Sequence, residues 1–477
     1  MTQIFHEYYR KKSPVLKKSH YIKIMNTRFK KETQNQNMDF MLSKPISKVV
    51  SKMAVPTVIS MLVMSIYSLA DMFFVSKLGT DASAAVGIVF SILTMIQAVG
   101  FMLGIGAGSL ISRSLGAGNS EEKDSIASVA FFASIIGGFF VLILGILFKT
   151  EVMQFLGATS TILPYAKDFS HYILIASPIM CASFVLNILL RTQGKPQLAM
   201  IGLAVGGVLN IILDPIFIFG LKMGIGGAAV ATLISQSVSF LILLFIYLRG
   251  QNFARIKISL AIKGFSSWFG KICGSGGSSL LRQGLVVIAN VLLNIHASTF
   301  GVAAVAGISI TSRIFMVVIS ILFGLGQGFQ PVAGFCFGAK RYDRVKSAYV
   351  FTLTTSTIIL SIFAVVFFNY ASYLVKIFQR DVDVVKIGTD AIRFFALSLP
   401  LLPLSVITNM LFQASGKNKE GMFLSSCRQG IFFIPLVFIL PRIFGLTGLE
   451  LCQPIANTLS ALISIPFLIG YFKQKKA

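Results

Sequence analysis

The sequence predicts an all-α polytopic membrane protein, with twelve transmembrane helices in two pseudo-symmetric six-helix lobes around a central cleft. Three observations carry that prediction. Hydrophobic residues fill 55% of the 477 positions and charged residues only 12%, about half the charged fraction of an ordinary soluble domain. The apolar residues gather in runs of roughly 20, long enough for a helix to cross the hydrocarbon core and too continuous for barrel strands. The short motifs of the first half recur, in order, in the second.

Hydropathy and helix breakers place the spans at residues 46–76, 84–112, 124–148, 165–191, 197–220, 225–248, 270–299, 303–333, 346–369, 390–413, 421–440 and 447–471. The loops after even-numbered spans hold Arg113 and Lys123, Arg191 and Lys195, five basic residues from Arg249 to Lys271, four from Lys340 to Lys346, and Lys417 with Lys419. With the leader, the first helix entry and the C-terminus, that side holds 30 of the 42 Lys and Arg, against nine on the other. Three more, Arg282, Arg313 and Arg428, fall within spans. The positive-inside rule puts both termini in the cytoplasm.

The same distribution accounts for the net charge of +25 without nucleic acid, which is not an expected partner. Cys181, Cys273, Cys336, Cys427 and Cys452 show neither ligand spacing nor a disulfide framework and read as apolar filler. Residues 1–44 hold ten Lys and Arg and no apolar run of signal-peptide length. They read as a basic, disordered cytoplasmic leader, within which Met25, Met38 or Met41 would also serve as a start.

The repeat has an offset of 220–222 residues. AAVGI at 84–88 returns as AVAGI at 304–308, and Gly104, Gly106 and Gly108 return as Gly324, Gly326 and Gly328. LGA at 115–117 returns as FGA at 337–339, and Asn187 followed by Gly194-Lys195 as Asn409 followed by Gly416-Lys417. Pro215 returns as Pro435, and GIGG at 224–227 as GLTG at 445–448. Six spans per half is an even number, so both halves enter the membrane from one side as parallel repeats. The organisation read from this is an N-lobe over 45–248, a cytoplasmic linker over 249–269, a C-lobe over 270–472 and a cytoplasmic tail over 473–477. Two such bundles suit alternating access by rocking. The Gly-x-Gly-x-Gly runs permit close helix approach. They follow no strand, and no P-loop occurs, so no nucleotide is expected to drive the protein.

Of 17 acidic residues, only Asp71 and Asp214 fall well inside spans. An intramembrane carboxylate is costly and marks a functional position, and helices one to six hold no Lys or Arg at comparable depth to pair with it. Their repeat counterparts are apolar: Ile434 for Asp214 and the Val291–Leu293 region for Asp71. Counting back from the span ends puts Asp71, Asp214 and Thr232 roughly 10 Å below the outer surface at 1.5 Å per residue. Asn210 lies one turn before Asp214 on the same face. Two carboxylates, an amide oxygen and a hydroxyl suit a hard monovalent cation such as Na⁺, and equally a proton shared between carboxyls. Pro215 cannot donate to the Ile211 carbonyl, nor Pro56 to the Lys52 carbonyl, so both are candidate hinges. Prolines in membrane helices are also common without such a role.

SLADMFFVSKLG around Asp71, the NIILDP stretch, the GIGAG and LGAG elements and the two six-helix halves resemble the multidrug and toxic compound extrusion (MATE) family, over about residues 44–472. The likeness is to its DinF-like and MepA-like bacterial branch. The resemblance implies a bacterial inner-membrane antiporter, not an enzyme, that exports organic, often cationic, compounds in exchange for Na⁺ or H⁺. It implies that Asp71, Asn210, Asp214 and Thr232 carry the first-lobe cation site and that Pro56 is the helix-one bending point. Tyr67 and Asn187 match the polar lining of that lobe, although Tyr67 reads equally well as a packed aromatic.

The NorM-like branch carries acids in its second lobe; here Arg282, Gln283, Asn290 and Asn294 stand as candidate lining instead, beside His296, Arg313 and Gln330. The expected partners are a small-molecule substrate and membrane lipid, and the expected state is a monomer. A lipid-linked oligosaccharide flippase and a dedicated exporter of one secondary metabolite are the alternatives. The flippase would line its cleft with several basic residues for diphosphate, and the spans hold few. An intramembrane enzyme would need a nucleophile–base or metal constellation that the sequence does not offer.

Overall fold

The computed structural model describes residues 40–119, 121–249 and 254–474. The leader expected over 1–44 lies, up to residue 39, outside the described residues, as do 250–253 of the expected linker and 475–477 of the tail. No strand occurs among the described residues.

From Pro45 onward the chain forms twelve helical spans. They are α1 (Ile46–Ser76), α2 (Thr80–Gly116), α3 (Lys123–Leu147), α4 (Leu163–Thr192), α5 (Pro196–Pro215), α6 (Gly224–Arg249), α7 (Ile258–Ser298), α8 (Val302–Gly338), α9 (Tyr342–Phe378), α10 (Val382–Ser398 with Leu402–Ser415), α11 (418–444) and α12 (446–473). A short helix, Lys149–Phe155, joins α3 to α4. Large apolar side chains such as Phe140 on α3, Leu241 and Phe245 on α6 and Ile362 on α9 are exposed on the perimeter, as a lipid-facing surface requires. The core of the first lobe gathers around α2 and α4, where Phe101, Met180, Cys181 and Phe184 are buried.

The two halves repeat in backbone geometry as well as in sequence. Left-handed positions recur in pairs: Gly79 with Gly301, Gly118 with Lys340, Gly194 with Gly416, and Gly224 with Gly445. Gly224 and Gly445 share a φ of 58°. At Gly445 that conformation breaks a continuous run of helix into α11 and α12, a turn that residues with a Cβ rarely adopt.

Several boundaries differ from the sequence expectation by more than a turn. The expected linker 249–269 is helical from Ile258, because Asp124, Ser125 and Ser128 at the start of α3 hold it. Asp124 Oδ1 accepts from the Arg255 amide at 2.8 Å, Ser128 Oγ accepts from the Lys257 amide at 3.0 Å, and Ser125 donates to Leu260 O. α10 starts early because the Asp381 carboxylate caps the amides of Asp383 and Val384 at 3.1 Å. It then bends by 54° between Ser398 and Leu402, where Pro400 and Pro403 remove backbone donors. α9 runs on to Phe378 across a kink at Tyr370, matching the short helix that follows α3. A π-helical turn, Ile216–Gly220, continues the α5 span beyond Pro215, and α11 contains another, Cys427–Phe432.

The lobes meet through backbone that only glycine permits. A methyl group on Gly116 would strike the Phe335 carbonyl, and one on Gly338 the Arg113 carbonyl. These contacts are each other's repeat. Gly106 seats on Ile272 O, Gly276 on Met102 O, Gly324 on Val58 and Gly328 on Ala54. All lie in the half of the bundle nearer the end where α1 begins and α12 finishes, here called the basic face for its loops. A cavity of about 20 Å³ remains there, lined by Ser109, Arg191, Gln327 and Gln330 among others. That is room for about one water, and with the seam glycines in contact and Ser109, Ser112, Arg191 and Gln327 buried, the basic face is closed.

Candidate functional site

In the first lobe, α5 lies between α1 and α6, and two consecutive glycines let it sit close to both. Gly207 faces Val63 and Tyr67 of α1; Gly206 faces Ser239 and the Ser235 carbonyl of α6. One turn further along, Asn210 and Asp214 face the junction, where Asp71 of α1 and Thr232 of α6 join them. All four are buried, Asp214 completely and Asp71 to 8% exposure.

The Asn210 amide nitrogen donates to Asp214 Oδ1 at 3.2 Å and to Thr232 Oγ1 at 3.3 Å. Those bonds use both of its donors. Three buried acceptors then receive no hydrogen bond from the protein: Asp71 Oδ1, Asn210 Oδ1 and Asp214 Oδ2. Asp71 lies within electrostatic reach of Asp214, and among the described residues no basic group does. Two carboxylates buried this close carry charge that must be offset. Oxygen acceptors with a neighbouring hydroxyl suit a hard monovalent cation, and the same carboxylates suit a proton. No group of three or more His, Cys, Asp or Glu able to hold a metal ion occurs among the described residues.

Tyr67 lies beside this cluster. Its hydroxyl faces Ser68 and Gln236 and is within electrostatic reach of Asp71. Gln236 did not stand out in the sequence, although it follows Thr232 by one turn on the same face of α6. Pro215 stands directly before the π-helical turn, where the Leu221 amide reaches back to Ile216 O at 2.8 Å. Pro56 is buried inside a continuous α1. Around it, Thr57 donates to Met53 O at 2.8 Å and Ser60 to Pro56 O at 2.9 Å.

Asn187 is not brought to this cluster. Its amide donates to Ala199 O at 2.8 Å, tying α4 to α5 near the basic face, and Asn409 makes the repeat-equivalent bond to Gly421 O at 2.6 Å. Both asparagines therefore tie a helix to its successor. Gln283, Asn290, Asn294 and Arg282 are on α7, away from the acids. Gln283 is half-buried, Asn290 and Asn294 are exposed one turn apart, and Arg282 is buried under the Phe323 ring at 4.8 Å.

Arg191 belongs to the structure's polar interior rather than to a loop. It is buried at the end of α4, and its guanidinium donates to Gln327 Oε1 of the opposite lobe. Ser109 donates across the same junction to Gln413 O at 2.7 Å, and Gln330 donates to Gln413 Oε1 at 2.7 Å. Hydropathy placed Arg191 at a span boundary, and only the packing of α4 against α8 reveals it as part of the closure.

The MatE family model matches residues 56–216 and 279–439, one stretch in each half. The multidrug export protein MepA of Staphylococcus aureus is 26% identical over 444 residues, 93% of this chain and 97% of that protein. A MOP superfamily transporter from Pyrococcus furiosus, described as having a binding pocket of reverse polarity, superposes with a TM-score of 0.86 at 26% identity, covering 92% of this chain and 98% of that one. A MATE family multidrug resistance transporter in an outward-facing conformation superposes at 0.85 with 26% identity, covering 91% and 98%.

Proposed function

The chain belongs to the MatE family, and from that premise we propose that it is a secondary active exporter. It moves amphipathic, cationic small molecules out of the cell in exchange for Na⁺ or H⁺, by alternating access of its two lobes. The basic face is the cytoplasmic one, and the membrane is the bacterial cytoplasmic membrane.

The observation that carries this reading is the set of three buried acceptors without a donor, Asp71 Oδ1, Asn210 Oδ1 and Asp214 Oδ2. A carboxylate pair in that setting gains from a proton or a cation, so its occupancy responds to an ion gradient. Occupancy by one proton or monovalent cation offsets one of the pair's two charges and changes what α1, α5 and α6 can bury against each other. The π-helical turn after Pro215 is where α5 can yield, and Pro56 is where α1 can bend away from its base. A ligand or ion shifts the conformational balance only by its difference in affinity for the two states. The closed basic face is the state from which bound substrate would leave outward.

Dye efflux from proteoliposomes under an imposed Na⁺ gradient, or separately an imposed pH gradient, tests the proposal. One gradient is expected to drive efflux in the wild type, and Asp71→Asn and Asp214→Asn are expected to abolish it. Normal gradient-driven efflux by both variants would falsify the coupling site.

A further inference from the structure

The second lobe buries charge of the opposite sign. Arg282 of α7 and Arg428 of the π-helical turn in α11 are each 8% exposed. The two helices touch at that level, where a methyl on Gly430 would come within 3.0 Å of Leu285 Cδ1. The guanidiniums lie within electrostatic reach of each other, and among the described residues no carboxylate lies in reach of either. Arg282 lies against the Phe323 ring, 4.8 Å from its centroid. Its Nε is buried and makes no hydrogen bond. A guanidinium stacked on an aromatic face keeps its edge donors free.

Burying two like charges within electrostatic reach of each other is costly unless a counter-charge is supplied. The acids of this lobe, Asp343, Asp381, Asp383, Asp390, Glu420 and Glu450, are distributed among other helices or nearer the helix ends. We propose that Arg282 and Arg428 form an anion site that takes the carboxylate or phosphate group of an amphipathic ligand. Its planar donor edge matches a two-oxygen anion, and Phe323 gives the ligand's apolar part a surface. The π-helical turn, Cys427–Phe432, widens α11 at the residue that supplies the second arginine, a distortion that often accompanies function. The inference goes beyond the export proposal and does not depend on it, because it requires only that the anion binds.

The test is equilibrium binding to the full chain in nanodiscs, with dansyl-undecanoate as the fluorescent probe and its methyl ester as the uncharged control. The carboxylate is expected to bind about 10- to 100-fold more tightly than the ester, the equivalent of about one charge-assisted hydrogen bond. Arg282→Gln and Arg428→Gln are expected to remove that preference, and Arg282→Lys to retain part of it. Equal binding of carboxylate and ester by the wild type overturns the proposal whether or not the variants fold. An unchanged preference in both folded Gln variants overturns it too. Probe held in phosphatidylcholine nanodiscs and displaced in phosphatidylglycerol nanodiscs supports the site with a lipid phosphate as its occupant. Probe held equally in both supports the site with a free carboxylate ligand.

Discussion

Asn210 donates to the Asp214 carboxylate across one turn of α5, and its second amide hydrogen reaches Thr232 on α6. The amide thereby turns its own oxygen toward the junction. Asn210→Ala removes both bonds and one acceptor, leaving Asp214 less well held. A charge-assisted hydrogen bond is worth about 1.5–3 kcal/mol, so half-saturation of efflux by the coupling ion is expected to weaken about 10- to 100-fold. Asn210→Asp adds a third carboxylate, and like-charge crowding is expected to raise the site's proton affinity and move the pH dependence of efflux upward. Efflux measured against Na⁺ concentration and pH checks both; an unchanged ion dependence in Asn210→Ala would remove the amide from the site.

Pro215→Ala restores the missing amide donor to Ile211 O and stiffens α5 just before the π-helical turn. Relief of a helix-interior proline is worth up to about 3 kcal/mol. The variant is expected to unfold at a higher temperature than the wild type while its turnover falls. Thermal unfolding and initial efflux rates on one preparation check this, and a faster variant would show that the turn is not where α5 yields.

Gly106→Val and Gly276→Val place side chains against the Ile272 and Met102 carbonyls. Neither backbone can move aside without separating α2 from α7. The closed basic face is expected to open, which labelling of a Ser112→Cys probe in a background without native cysteines reads directly. Ser112 is 2% exposed, so labelling is expected to be slow in the parent and fast in either valine variant.

The paired tethers predict paired costs. Asn187→Ala and Asn409→Ala each remove a buried side-chain hydrogen bond between successive helices, at about 0.5–1.5 kcal/mol. The two stand in different lobes with different neighbours, so their effects are expected to add. Thermal or denaturant unfolding of the single and double variants checks the sum, and a strongly sub-additive double variant would mean that one lobe unfolds before the other.

The twelve spans and the duplication were legible because both depend on hydropathy and glycine position, which survive in one dimension. Asp71 and Asp214 stood out for the same reason, as charges within apolar runs. What escaped depends on contacts between distant segments. Ile258 begins a helix because Asp124 and Ser128 hold the chain before it, which no window across the linker records. The asparagine at 187 is polar, buried and repeated, which fits a lining residue and a tether equally well until Ala199 is seen beside it. Arg282 and Arg428 are far apart in sequence, so each alone reads as a snorkelling arginine; only the packing of α7 on the π-helical turn makes them neighbours.

The reciprocal contacts of Gly116 with Phe335 and of Gly338 with Arg113 make the lobe interface self-complementary, as in a two-fold homodimer. A half-length ancestor with that surface would have been able to pair with itself, but every change to one half would have appeared in both. A single polypeptide is free of that constraint. Asp71 and Asp214 lie buried in one lobe and Arg282 and Arg428 in the other, while the seam keeps its glycines in register. One chain can thus hold unlike interiors on either side of a symmetric seam.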